Sequence, residues 1–138
     1  MILVTGAAGK TGQLVIGALV KRQIPVKALV HKESQVDQLM ASGAAEVLVG
    51  DMRSLDRMKQ AFEGVRAVYH IPPNVSPYEF EIGSIVIEAA RKAGIEHFIY
   101  HSVLHPQVEA MPHHWGKMRV EEEIFESGLP FTILQPAV

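Results

Sequence analysis

No cysteine occurs anywhere in the 138 residues. That excludes disulfides, thiolate metal sites and a thiol-based redox switch. Neither sign of charge dominates either. A formal net charge of −2 gives no electrostatic reason to bind nucleic acid or an acidic membrane surface. No apolar run approaches the length of a bilayer-spanning helix. Residues 1–4 lead directly into a glycine-rich stretch, which leaves no room for a signal peptide and makes the cytoplasm the default expectation. Repeats, linkers and low-complexity segments are lacking too, and the length predicts one domain over 1–138 with room for a real core.

What is present is a strongly punctuated α/β pattern. Apolar residues make up 48% of the chain, which fits a sheet whose central strands are buried on both faces. The organising stretch is Val4-Thr5-Gly6-Ala7-Ala8-Gly9-Lys10-Thr11-Gly12. An apolar strand start, Ile2 to Thr5, precedes it, and Gln13 to Arg22 follow with helical spacing. In such a strand–turn–helix unit each glycine has a separate task. Gly6 lets the chain leave the strand, Gly9 lets the backbone approach a phosphate, and Gly12 lets the helix lie against the strand. The unpaired N–H groups and the dipole at the helix start then favour an anion. Gly6, Ala8, Gly9, Lys10, Thr11 and Gly12 are the expected dinucleotide contacts of this turn.

The remaining chain repeats the alternation. Strands are predicted at 26–30, 46–49, 67–71, 97–101 and 131–134. Helices are predicted from Glu33 to Ala41, after Ser54, from Pro77 to Gly94 and from Trp115 to Glu126, with an irregular stretch over 102–113. Strands alternating with helices six times predict a doubly wound parallel sheet, with helices on both faces. Right-handed crossovers and a switch point beside the first strand give the order 3-2-1-4-5-6, the Rossmann arrangement.

Chemistry concentrates where strands end. After the second strand a carboxylate would bind the adenosine ribose 2′-OH and repel a 2′-phosphate. This chain has His31 and Lys32 there, which favours NADP over NAD; the competing reading is a solvated basic helix start. Gly50-Asp51-Met52 ends the third strand and Ile71-Pro72-Pro73-Asn74 the fourth. Five histidines (His97, His101, His105, His113 and His114) cluster late in the chain. No carboxylate or cysteine completes a ligand spacing with them, so no metal is expected.

The stretch Thr5 to Gly12 resembles the fingerprint of the short-chain dehydrogenase/reductase superfamily. The segments Tyr69 to Asn74, Ile87 to Gly94, Lys117 to Glu123 and Gly128 to Pro136 narrow the resemblance to its NmrA-like group of NAD(P)-binding proteins. That resemblance implies that Asp51, with Met52, meets the adenine, although an Asp there also serves to tighten a turn. It places Ile71, Pro72 and Pro73 beside the nicotinamide ribose. It also implies that Ser102 holds a substrate carbonyl and that Lys117 binds the ribose. The tyrosine expected four residues before Lys117 is missing; His113 stands there. His113 is read as a replacement general acid, as a bystander to a lysine that only holds ribose, or as part of a solvated loop. The expected function is an NADP(H)-binding relative of quinone or carbonyl reductases. The alternative is a non-catalytic redox sensor acting on a partner protein. Relatives of this kind continue past the sixth strand into a substrate region absent here, so bare apolar surface and self-association are expected.

Overall fold

The computed structural model of the chain describes residues 1–137. Its strands are β1 (Ile2–Val4), β2 (Val26–Val30), β3 (Glu46–Val49), β4 (Ala67–His70), β5 (His97–His101) and β6 (Phe131–Leu134). The helices are α1 (Lys10–Lys21), α2 (Val36–Ala41), α3 (Leu55–Phe62), α4 (Glu79–Ala93) and α5 (Pro112–Glu126), with a 3₁₀ turn at Glu33–Gln35 before α2. Every strand pair is parallel. The order is β3-β2-β1-β4-β5-β6, as the alternation predicts.

β1 is flanked by β2 and β4, so its ladder is complete on both edges and its side chains point into two cores. On one face Val4, Val26, Ala28 and Val30 meet Ile16 of α1 and Leu39 of α2. On the other, Leu3, Val68, Phe98 and Tyr100 meet residues of α3, α4 and α5. The chain changes face between β3 and β4. The loops after β1 and β4 therefore part beyond their first contact at Gly6 and Ile71, and a crevice opens at the carboxyl edge.

Local chemistry sets the helix ends. Ser54 accepts the Arg57 N–H at 3.2 Å and caps α3. Gly94 adopts φ +64° and ends α4. α5 begins at Pro112, three residues before the predicted start at Trp115. Proline has no N–H to waste at the first helical position, and its φ suits the entry. His113 and His114 consequently belong to the first turn of a helix rather than to a loop.

α4 and α5 run side by side with their backbones in close approach. A Cβ on Gly83 would come 2.9 Å from Val120 Cγ1, and one on Gly116 would come 3.1 Å from Glu79 Cβ. The open end of the sheet is mixed in character rather than simply apolar. Exposed Phe125 and Phe131 pack edge to face at 5.5 Å, but His97 Nε2 meets Thr132 Oγ1 at 2.8 Å and Tyr69 Oη meets His101 Nδ1 at 3.1 Å.

Candidate dinucleotide-binding cleft

The loops after the first five strands line a cleft of about 1210 Å³ along the carboxyl edge. Gly6 turns the chain at φ +59°, and a Cβ there would sit 2.7 Å from Ile71 O. The β1 and β4 loops touch at that point. Gly12 is the contact between α1 and the turn, because a Cβ would come 2.7 Å from Ala7 Cα and overlap Gly6 O. Gly9 differs from both. A Cβ on it would meet only Gly6 O, at an ordinary 3.4 Å, and otherwise faces open cleft. The amides of Ala7 and Gly9 bond Leu29 O at 3.4 Å and Gly6 O at 3.1 Å. Those of Ala8, Lys10, Thr11 and Gly12 find no acceptor among the described residues. Unpaired donors at a helix start, beside a residue without a side chain, form a cradle for a phosphate group.

At the β2–β3 end, His31, Asp51, Met52 and Arg53 line the cleft. Lys32 is not among the lining residues; it precedes the 3₁₀ turn, where its backbone N–H donates to Gln35 Oε1 at 3.0 Å. Arg53 was missed in the sequence. Its backbone N–H donates to Asp51 Oδ1 at 2.8 Å and its guanidinium to Oδ2 at 3.3 Å. These bonds, the backbone one first, hold the Asp51 carboxyl below its ordinary range. The Arg53 guanidinium also lies 4.5 Å from the Tyr78 ring centroid, across the cleft mouth.

At the far end Ile71, Pro72, Pro73, His101, Ser102, His113 and Lys117 come together. Ser102 lines the cleft, but its hydroxyl donates to the buried Glu121 Oε1 at 2.5 Å. Gln135 Nε2 supports the same carboxylate from 3.0 Å. The Ser102 proton is thus committed, which leaves the oxygen free only to accept. Tyr100 is fully buried and donates to Glu79 Oε1 at 2.6 Å. Burial, then the neighbouring Glu79 charge, push its phenol far up. It cannot reach a ligand in the missing tyrosine's place. His113 lies one turn before Lys117, and both face the cleft. Burial, then the Lys117 charge, lowers the His101 imidazole below its ordinary range.

Beneath this end lies His70, whose Nδ1 pairs with Thr5 Oγ1 at 2.8 Å and whose buried Nε2 has no partner among the described residues. Burial, with Lys117 adding its charge, pulls the imidazole from 6.5 down to about 3. The unfolded chain takes up this proton at the ordinary value, so stability is full above 6.5 and drains as the pH falls toward 3. His70→Phe removes the titration. Between about pH 6.5 and 4 the variant should lose ~3 kcal/mol less unfolding free energy than the parent. Chemical denaturation at several pH values reads the difference, and parallel curves would contradict a buried neutral ring.

The whole chain, residues 1–138, matches the family model of the NmrA-like family. The chain belongs to the NmrA-like family. It is 31% identical over 138 residues to an NAD(P)H azoreductase of Xenophilus azovorans, covering 99% of this chain and 47% of that protein. It is 28% identical to quinone oxidoreductase 2 of Escherichia coli, over 98% of this chain and 48% of the relative. Among solved structures, triphenylmethane reductase of Citrobacter sp. in complex with NADP(H) superposes with a TM-score of 0.89 at 29% identity. That match covers 100% of this chain and 50% of the reductase. An NADPH-dependent quinone oxidoreductase of Escherichia coli, complexed with NADPH, gives 0.87 at 28% identity, over 98% of this chain and 48% of that one. The chain therefore spans about half the length of these NmrA-like relatives.

Three partners of this NmrA-like cleft escaped the sequence: Arg53, Glu79 and Glu121. One signal for Glu79 was available. A glycine inside a helix costs about 1 kcal/mol relative to alanine, so Gly116 marks a place where something approaches α5 closely.

Proposed function

We propose that this chain binds NADP(H) along the carboxyl edge of its sheet and is the nucleotide-binding half of an NAD(P)H-dependent reductase. The phosphate cradle around Gly9 carries this reading, because its free amides and open Cβ position have no internal use. NADP(H) in similar structures supports it. The pyrophosphate is assigned to residues 6–12 and the adenine to Asp51 and Met52. The 2′-phosphate is assigned to His31 and Arg53, with Lys32 adjacent to His31. Ile71, Pro72, Pro73 and Lys117 are assigned to the nicotinamide ribose. When bound, the dinucleotide supplies the hydride. The chain's own residues fix its position: Lys117 is assigned to hold the ribose, and His113 borders the acceptor.

Quinone and cationic dye acceptors fit this end better than simple carbonyls, because hydride transfer to them leaves a stabilised hydroquinone anion or a neutral carbon. Reducing a carbonyl to an alcohol calls for a positioned proton donor, and here Tyr100 is buried and the Ser102 proton is held by Glu121. The same observation favours a second reading, a dinucleotide sensor that binds without turnover and acts through a protein partner. One assay separates them. The protein is given NADPH with a panel of quinones, azo compounds and aldehydes, and the reduced nicotinamide absorbance is followed. NADPH should bind at least about tenfold more tightly than NADH. Sustained oxidation with quinones or azo compounds supports the reductase. Tight binding with no oxidation supports the sensor, and equal affinity for both nucleotides contradicts the 2′-phosphate assignment.

A further inference from the structure

Glu79 is a buried carboxylate, 3% exposed, at the first turn of α4. It does not line the cleft, yet its Oε1 holds the residue that does. Lys117 Nζ donates to Glu79 Oε1 at 3.1 Å, while Tyr100 Oη donates to the same oxygen at 2.6 Å. Tyr100 is itself fixed, stacked on His70 at 5.7 Å with the rings 17° apart. Lys117 has a flexible stem, and its side chain is only 14% exposed. An ammonium on such a stem, left without an anion in a mostly buried place, would swing toward water. No other carboxylate among the described residues pairs with it; its remaining partner is the Tyr100 ring, whose centroid lies 5.8 Å from Nζ.

The approach that makes this pair is itself built. Helix residue Gly116 allows α5 to come against Glu79, and Gly83 does the same one turn further on against Val120. An alanine at Gly116 would put its Cβ 3.1 Å from Glu79 Cβ. Two helical glycines thus bring together residues 38 positions apart in sequence. A buried ion pair adds little to stability over a well-packed apolar pair of similar volume. Its value here lies in where it leaves the ammonium: three donors, one bound from below, the rest aimed at the cleft.

We propose that Glu79 is a positioning residue for dinucleotide binding, which holds Lys117 directed at the nicotinamide end of the cleft. This rests on the assignment of Lys117 to the nicotinamide ribose. Glu79 acts through Lys117 and touches no ligand. Tyr100 and His70 form the rigid floor that keeps the carboxylate from following the lysine outward.

The test is a double-mutant cycle on NADPH affinity, with thermal unfolding recorded on every variant. Lys117→Met should weaken NADPH about tenfold, the effect of losing one hydrogen bond from a charged group. Glu79→Gln should weaken it by a similar factor, and the double variant should be no weaker than Lys117→Met alone. Ile124→Val, at a fully buried core position two turns further along α5 and outside the cleft lining, leaves the Glu79–Lys117 pair untouched. It should lower the melting temperature yet change NADPH affinity less than about twofold, which a general loosening of the site would not do. If Glu79→Gln is too unstable to titrate, Glu79→Asp draws the carboxylate back by one methylene and should weaken NADPH only in the presence of Lys117. Parental affinity in the Glu79 variant, or losses that multiply in the double variant, would overturn the proposal while sparing the role of Lys117. Parental affinity in Lys117→Met would overturn the ribose assignment and this proposal with it.

Discussion

Gly9→Val should reduce NADPH affinity at least about a hundredfold and leave the fold intact. The backbone at Gly9 has φ −72° and ψ 167°, an extended conformation that a β-branched residue adopts readily. Its Cβ would meet only Gly6 O, at 3.4 Å. The valine methyls must therefore project into the space where a phosphate would approach the free amides of Lys10 and Thr11. Two lost charge-assisted hydrogen bonds, each worth about 1.5 to 3 kcal/mol, make the hundredfold estimate. Stability should stay within about 0.5 kcal/mol of the parent, as for other substitutions that touch no packed neighbour. Calorimetric titration and denaturant unfolding give both numbers. A variant that still binds NADPH like the parent would remove the phosphate cradle from the account.

Gly12→Val should do the reverse, costing the fold at least about 3 kcal/mol. Its Cβ would lie 2.7 Å from Ala7 Cα and 2.8 Å from Ala7 O, and it would overlap Gly6 O. All three are backbone atoms of the turn and cannot rotate aside. α1 would have to lift off the sheet, taking Ile16 away from Val4 and Ala28. Since the clash is at Cβ, Gly12→Ala should cost nearly as much. Gly17 supplies the control on the same helix. Nothing lies within 4 Å of a Cβ there, so Gly17→Ala should stabilise by about 1 kcal/mol through helix propensity alone. Equal effects at the two positions, read from urea unfolding, would mean that Gly12 is not a packing contact.

The sheet order was legible because the strands are short, the helices amphipathic, and most elements are ended by glycine or proline. Local signals then suffice, and the handedness of crossovers does the rest. The glycine turn was legible for the same reason, since strand, turn and helix are contiguous in the chain. The polar partners were not. Glu79 meets Lys117 only because α4 and α5 cross where Gly83 and Gly116 stand, and no periodicity reports a crossing. Glu121 stands beside Glu122 and Glu123 in the sequence, but it is the buried member and accepts the Ser102 O–H. The cation at the β2–β3 end is a matter of side-chain direction. Lys32 starts a 3₁₀ turn outside the cleft lining, whereas Arg53 is folded back onto Asp51 within it.

The central claim, a dinucleotide lying along the carboxyl edge, is tested most directly by titrating NADPH into the isotope-labelled chain and following backbone amide shifts. Saturable changes are predicted at residues 6–12, 31, 51–53, 71, 101–103 and 117, with the amides of Lys10 and Thr11 among the largest. The outer helix residues Glu88 and Lys92, paired on the far surface at 2.6 Å, should stay still. Absence of saturable binding, or shifts confined to surfaces away from the glycine turn, would contradict the account.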